Sequence, residues 1–164
     1  MRALIFLFLF IPFTSSAQIH IDKAGDFWEK RVDSALCKIK LIDSIYYSHI
    51  LMVCDTISFW NGNYSTCSGS NGRKGSIVIS AADAKFGDIN DLCAVLVHES
   101  LHLRLMMIGK NLDPYEEEIL CYSYERDFLM KIPGVSYYLI KNAEIQISKM
   151  ESKRTQYPAN HTQK

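Results

Sequence analysis

The sequence predicts an α+β domain, and three observations carry that prediction. Four segments space their apolar residues at helical period, at about 26–41, 88–108, 113–130 and 135–150. Two other stretches, 46–60 and 75–80, are rich in Ile, Val, Tyr and Thr and read as strand. No repeat, linker or low-complexity block divides the 164 residues, a length suited to one ordinary domain.

The elements follow in order. Met1-Arg2, the apolar run Ala3 to Phe13 and the small residues Thr14 to Ala17 have the three parts of a secretory signal peptide, with Ser15 and Ala17 at the −3 and −1 places. Residues 1–17 are therefore expected to be removed, and the run is too short for a transmembrane helix. The chain is expected to be exported, to the periplasm or outside the cell, with no membrane anchor after cleavage. The first helix mixes apolar Phe27, Ala35, Leu36 and Ile39 with charges at helical spacing. The run Tyr46 to Trp60 reads mainly as strand. Asn61-Gly62-Asn63 and the stretch Cys67 to Gly72 are loop chemistry. Gly75 to Ser80 is a short strand ending in a polar turn. Asp88 or Asn90 caps the next helix, and Asp113 followed by Pro114 starts another that runs to about Met130. Pro133-Gly134 breaks it, and a last amphipathic helix follows. One domain is expected over 18–152, with a flexible polar tail over 153–164.

Composition excludes some functions. Lys+Arg and Asp+Glu both number 18, so no net charge draws the chain to nucleic acid or to anionic membranes. Hydrophobic residues make up 48%, enough for a real core, so function belongs in a local site. The five cysteines, Cys37, Cys54, Cys67, Cys93 and Cys121, are odd in number and would lie in a compartment where disulfides persist. Cys54 and Cys67 flank a Gly/Asn/Ser-rich segment that a disulfide could close. Small buried hydrophobes are an equally good reading of the other three. His20, His49 and His161 are scattered and read as surface or terminal residues.

The helix near Asp88 carries the chemistry. It runs Leu92-Cys93-Ala94-Val95-Leu96-Val97-His98-Glu99-Ser100-Leu101-His102-Leu103, with apolar side chains at nearly every angle. His98 and His102 lie one turn apart on one face, aimed at a common point. This is the H-E-x-x-H arrangement, in which two His bind zinc and the Glu, here Glu99, acts as general base. A chain of this composition contains it by chance about 0.007 times. The competing arrangement is a pair of hydrogen-bonded core histidines beside a surface glutamate.

A catalytic zinc site needs a third protein ligand and an open position. Glu116, Glu117 and Glu118 point about 100° apart on the following helix, so one at most faces a given metal. Cys121, Tyr122, Phe128, Leu129 and Ile132 define an apolar arc with Glu118 and Glu125 near its centre. Glu117 lies at the arc's edge and Glu116 on the polar side. A carboxylate within an apolar stripe requires a partner, which makes Glu118 the third ligand and Glu117 its alternative. Glu125, two turns on, is placed either to orient His98 or His102 through the nitrogen not on the metal, or to pair with a distant cation. Cys121 is a further sulfur candidate, though a small packing residue explains it more simply.

His98-Glu99-Ser100-Leu101-His102 followed by Glu118-Ile119-Leu120-Cys121-Tyr122 resembles the zincin metallopeptidases of the gluzincin type. It is similar in particular to small secreted bacterial zincin-like proteins whose downstream helix reads E-x-x-A-Y or E-x-x-A-N, with Cys121 here in place of Ala. The resemblance covers about 75–132. It implies a helix-rich zincin-like fold whose small sheet has an edge strand, Gly75 to Ser80, preceding the H-E-x-x-H helix. It also implies a zinc-dependent hydrolase acting on a peptide or protein, the edge strand holding the substrate by β-augmentation. Two departures stand out: Arg104 replaces the usual apolar residue two positions after the second His, and no Tyr or His offers itself for transition-state stabilisation. The alternatives are a zinc-binding or peptide-recognition module without catalysis, and a secreted interaction protein in which the His and Glu form a buried hydrogen-bond network. A cysteine nucleophile at Cys93 or Cys121 lacks the loop context such residues need.

Overall fold

The computed structural model describes residues 19–22, 25–82 and 87–156. The expected signal peptide and residues 157–164, His161 included, lie outside them. In chain order the elements are β1 (His20–Ile21), α1 (Asp26–Ile42), α2 (Ser44–Val53), β2 (Cys54–Trp60), β3 (Thr66–Ser70), β4 (Arg73–Ser80), α3 (Ile89–Met107), α4 (Pro114–Leu129) and α5 (Tyr137–Gln156). The described residues form an α+β fold of five helices and a mixed four-stranded sheet ordered β1-β2-β4-β3. The pairs β1/β2 and β2/β4 are parallel, whereas β3/β4 is an antiparallel hairpin.

The helices begin where their caps are. Asp88 closes a capping box with Asp91, its own N–H donating to the Asp91 carboxylate at 2.7 Å. Asp113 accepts from the N–H groups of Tyr115 and Glu116, with Pro114 supplying the pre-set first turn. At the far end, α5 continues through Gln156, four residues into the stretch expected as tail. Its side chains are mostly polar, and Ala143 is its buried residue.

Around the sheet, three expectations change. Tyr46 to Val53 is helix, not strand. Tyr46, His49, Ile50 and Val53 are buried at i, i+3, i+4 and i+7, and Asp43 caps the helix by accepting from Ile45 N–H at 2.9 Å. Packing of that face overrides the strand preference of its aromatic and β-branched residues. Second, Thr66 to Ser70 is strand, turned back by Gly72 at φ 75°, so β3 forms the edge opposite β1 and Gly75 to Ser80 lies inside the sheet. Third, Cys54 and Cys67 are both free. With β4 between their strands they stand about two strand spacings apart, roughly 10 Å, beyond the Cα reach of a disulfide.

The core lies between the sheet and the helices. Ile57, Ile77 and Ile79 point from the sheet, and Val32, Ile39, Ile50, Leu96, Leu103, Phe128 and Leu129 close over them, each essentially inaccessible. Helix α3 crosses closest where the sheet has no side chains: Gly69 meets Leu103 and Met106, and Gly75 meets Leu103. A Cβ at Gly75 would fall on the Ser68 carbonyl and the Leu103 side chain. Gly75→Ala is therefore expected to destabilise the protein by about 1–3 kcal/mol in urea unfolding. An unchanged midpoint would show that α3 has room to retreat.

His49, expected at the surface, is buried on α2. Its Nδ1 pairs with the Tyr124 hydroxyl of α4 at 2.9 Å, and the two rings meet edge to face. Burial, aided by the Arg104 charge, lowers its pKa from 6.5 to about 4. The folded protein binds this proton less readily than the unfolded chain. The contribution is therefore complete above about pH 6.5 and is lost as pH falls towards 4. Denaturant titrations at pH 7 and 4.5 should show a smaller acid loss of stability in His49→Gln than in the wild type.

Candidate metal centre

Helices α3 and α4 pack side by side, and their facing residues build the site. Helical periodicity puts His98 and His102 on the α3 face that meets α4, and α4 answers with Glu117, Glu118 and Glu125. Glu125 lies 2.9 Å from His98 Nδ1, and Glu117 lies 2.7 Å from His102 Nδ1. Each carboxylate accepts an N–H from its imidazole, which leaves the Nε2 lone pair of both rings free. Those two Nε2 atoms stand 3.3 Å apart. Glu118 completes the cluster, its two oxygens each 3.6 Å from one of them. Tyr122 packs edge-on against the His98 ring, with centroids 4.5 Å apart.

Three electron-pair donors face one another here, and they repel unless a cation lies among them. The separations leave room for a metal ion among the three groups. Two ligands bonded at about 2.0–2.1 Å in a tetrahedron stand about 3.3–3.4 Å apart, as the two Nε2 atoms do, while Glu118 offers each of them a different oxygen and the three ligand atoms lie within 4.8 Å of one another. A direct N–H···O bond would instead close to about 2.9 Å. His98, His102 and Glu118 thus form a group that could hold a metal ion, the one such group among the described residues.

Without metal a proton takes the cation's place. Burial disfavours a charged His98, but the Glu118 carboxylate 3.6 Å from its Nε2, the hydrogen bond to Glu125 and the charge of Glu99 outweigh it and raise its pKa to about 9. The same His98 contact holds the Glu118 carboxyl below its usual range against the opposing effect of burial.

Glu99 follows His98 on α3 and is 7% exposed. Burial raises its pKa, opposed by the charges of His98 and His102 and by its interaction with the Cys67 thiol on β3. Cys67 is the participant that sequence reasoning missed. It read there as a partner for Cys54, because only the folded hairpin carries β3 across the end of α3. Burial, and then Glu99, push the Cys67 thiol well above its ordinary range. Cys121 is fully buried one turn beyond Glu118 and takes no place in the ligand group.

The structure groups His98, His102 and Glu118, and sets Glu117 and Glu125 against the outer nitrogens of the two imidazoles. Glu118 stands at the convergence of the Nε2 atoms. Glu117, the alternative ligand, lies on the other nitrogen of His102, and Glu125 on that of His98. The chain finds no match among protein-family models, curated proteins or solved structures.

Metal and proton compete for the same lone pairs, so uptake depends on pH. In the metal-free protein the favourable His98 charge is complete below about pH 6.5 and is lost as pH rises through about 9. Uptake of a divalent metal ion at pH 7.5, with Zn2+ as the probe, should therefore release about one proton, read from titration calorimetry in buffers of different ionisation enthalpy. Release of none would place the metal elsewhere.

Proposed function

We propose that the protein is an exported, zinc-dependent hydrolase of peptide bonds, similar in mechanism to the zincins its motif resembles. The observation that supports it is the convergence of His98, His102 and Glu118 beside a buried carboxylate, Glu99, one residue from the first ligand. Export rests on the N-terminal tripartite pattern. Among the described residues no helix is long and apolar enough to cross a membrane.

His98, His102 and Glu118 would hold the ion, and their donor set of two imidazoles and one carboxylate suits zinc. Bound zinc supplies Lewis acidity, which makes a water more acidic and polarises a carbonyl. The remaining work belongs to the chain. Glu125 and Glu117 hold the two imidazoles in the tautomer that presents Nε2, so the ligands are set before metal or substrate arrives. Glu99 takes a proton from the attacking water and passes it to the leaving amine. Its burial raises its basicity towards the range a general base needs at neutral pH. The edge strand is β3, whose outer backbone groups are free of the sheet and can pair with an extended peptide.

Two variants test this reading. Glu99→Gln should keep stoichiometric zinc and lose hydrolysis of a peptide library by about 10²–10⁴-fold. Glu118→Ala should lose the zinc itself, measured by metal analysis of purified protein. Full metal in Glu118→Ala would refute the ligand set. Stoichiometric zinc with no hydrolysis sensitive to chelator would leave a zinc-binding recognition module instead.

A further inference from the structure

Arg104 is the residue of α3 that the metal centre leaves without a task. It follows His102 by two positions, about 200° around the helix, and so emerges on the flank facing α2. It takes part in none of the ion pairs among the described residues. Its Nη1 donates instead to the sulfur of Met52 at 3.3 Å, a weak acceptor for a guanidinium.

Beside it α2, α3 and α4 enclose a groove of about 450 Å³. Its walls include Ile45, Met52 and Leu101, and Ser48 and Arg104 stand at its polar side. Ile45 and Met52 are 74% and 48% exposed, so the apolar wall of the groove is open to water. His49 also lines the groove. With Nδ1 held by the Tyr124 hydroxyl, its Nε2 is buried and has no hydrogen-bond partner among the described residues. An orphan of this kind is costly, and a ligand atom that reaches it recovers that cost.

We propose that this groove binds an aliphatic carboxylate, its head on Arg104 and the Nε2–H of His49 and its chain along Ile45, Met52 and Leu101. The volume lies within the range of small-molecule sites, and an apolar wall with a few convergent donors is their usual chemistry. The donors are of one kind. Arg104 offers N–H and Ser48 a hydroxyl, and His49 adds its Nε2–H in the tautomer whose Nδ1 accepts from Tyr124. A carboxylate displaces the Met52 sulfur from Arg104 because a charge-assisted bond is the stronger. The walls are helices whose backbone groups are already paired, so the amides of a bound peptide would find almost no partners. An aliphatic chain needs none. The site is separate from the metal centre, and the inference does not depend on hydrolysis.

Decanoate is the probe, titrated into the full chain by calorimetry while the Met52 methyl is followed by NMR. Saturable binding that shifts the Met52 methyl is expected. Decanol, which lacks the charge, should bind about tenfold more weakly, and Arg104→Gln should weaken decanoate by about the same factor. Arg104 is exposed, so this variant should fold normally, and Ser48→Trp, which fills the groove, gives a second block. Removing metal with chelator should leave the affinity unchanged. Decanoate binding that survives both variants, or that disappears with chelator, would overturn the proposal. So would equal affinity for decanol, or tighter binding of the acetylated tripeptide Ile-Leu-Met with a free C-terminus.

Discussion

The structure depends on the meeting of His98 and His102 with three glutamates across the α3–α4 interface. Two imidazoles buried on an apolar helix are costly unless every nitrogen has a partner. Glu125 and Glu117 satisfy the Nδ1 atoms at 2.9 and 2.7 Å, and this fixes which lone pairs remain. The Nε2 atoms and Glu118 are then left facing each other with no proton of their own to share. The demand for a cation follows from that anchoring, and so does the raised pKa of His98 in the metal-free protein.

The rest of the fold holds that interface in place. Helix α3 is clamped to the sheet through Gly69 and Gly75, the positions where strand and helix approach too closely for a side chain. This contact brings β3 to the end of α3 and sets Cys67 against Glu99. On its other flank α3 is braced by α2 and α4, where Tyr46 stacks on Tyr124 and Phe128 at 4.6 and 5.1 Å. The candidate metal site and the apolar groove thus use two faces of one buried helix. Its periodicity separates them, and α4 touches both, through Glu118 and Tyr124.

Much of this was legible in the sequence, for reasons that are local. The caps at Asp88 and Asp113 and the proline at 114 act within a few residues, so the starts of α3 and α4 could be read directly. The i, i+4 spacing of His98 and His102 and the wheel position of Glu118 are likewise properties of single helices. The misreadings came where a local signal was ambiguous. Tyr46 to Val53 is rich in strand formers, yet its buried positions 46, 49, 50 and 53 have helical spacing that only packing against α4 makes decisive. Gly69 to Gly72 resembles loop because glycine and asparagine suit turns, and here one glycine makes the turn while another lets α3 approach.

The sequence by itself determined an α+β chain with a paired-histidine helix, a glutamate-bearing helix after it, and the chemistry those residues allow. Only the tertiary structure decided how the three glutamates divide their work, because side chains a turn or less apart are told apart by what lies opposite them. It also decided that β3 rather than β4 is the sheet edge, that Cys54 and Cys67 stay apart, and that His49 is buried with an open nitrogen. Each of these is a relation between segments distant in the chain. Local propensity holds no information about such relations, since they arise only when helices and strands compete for the same core.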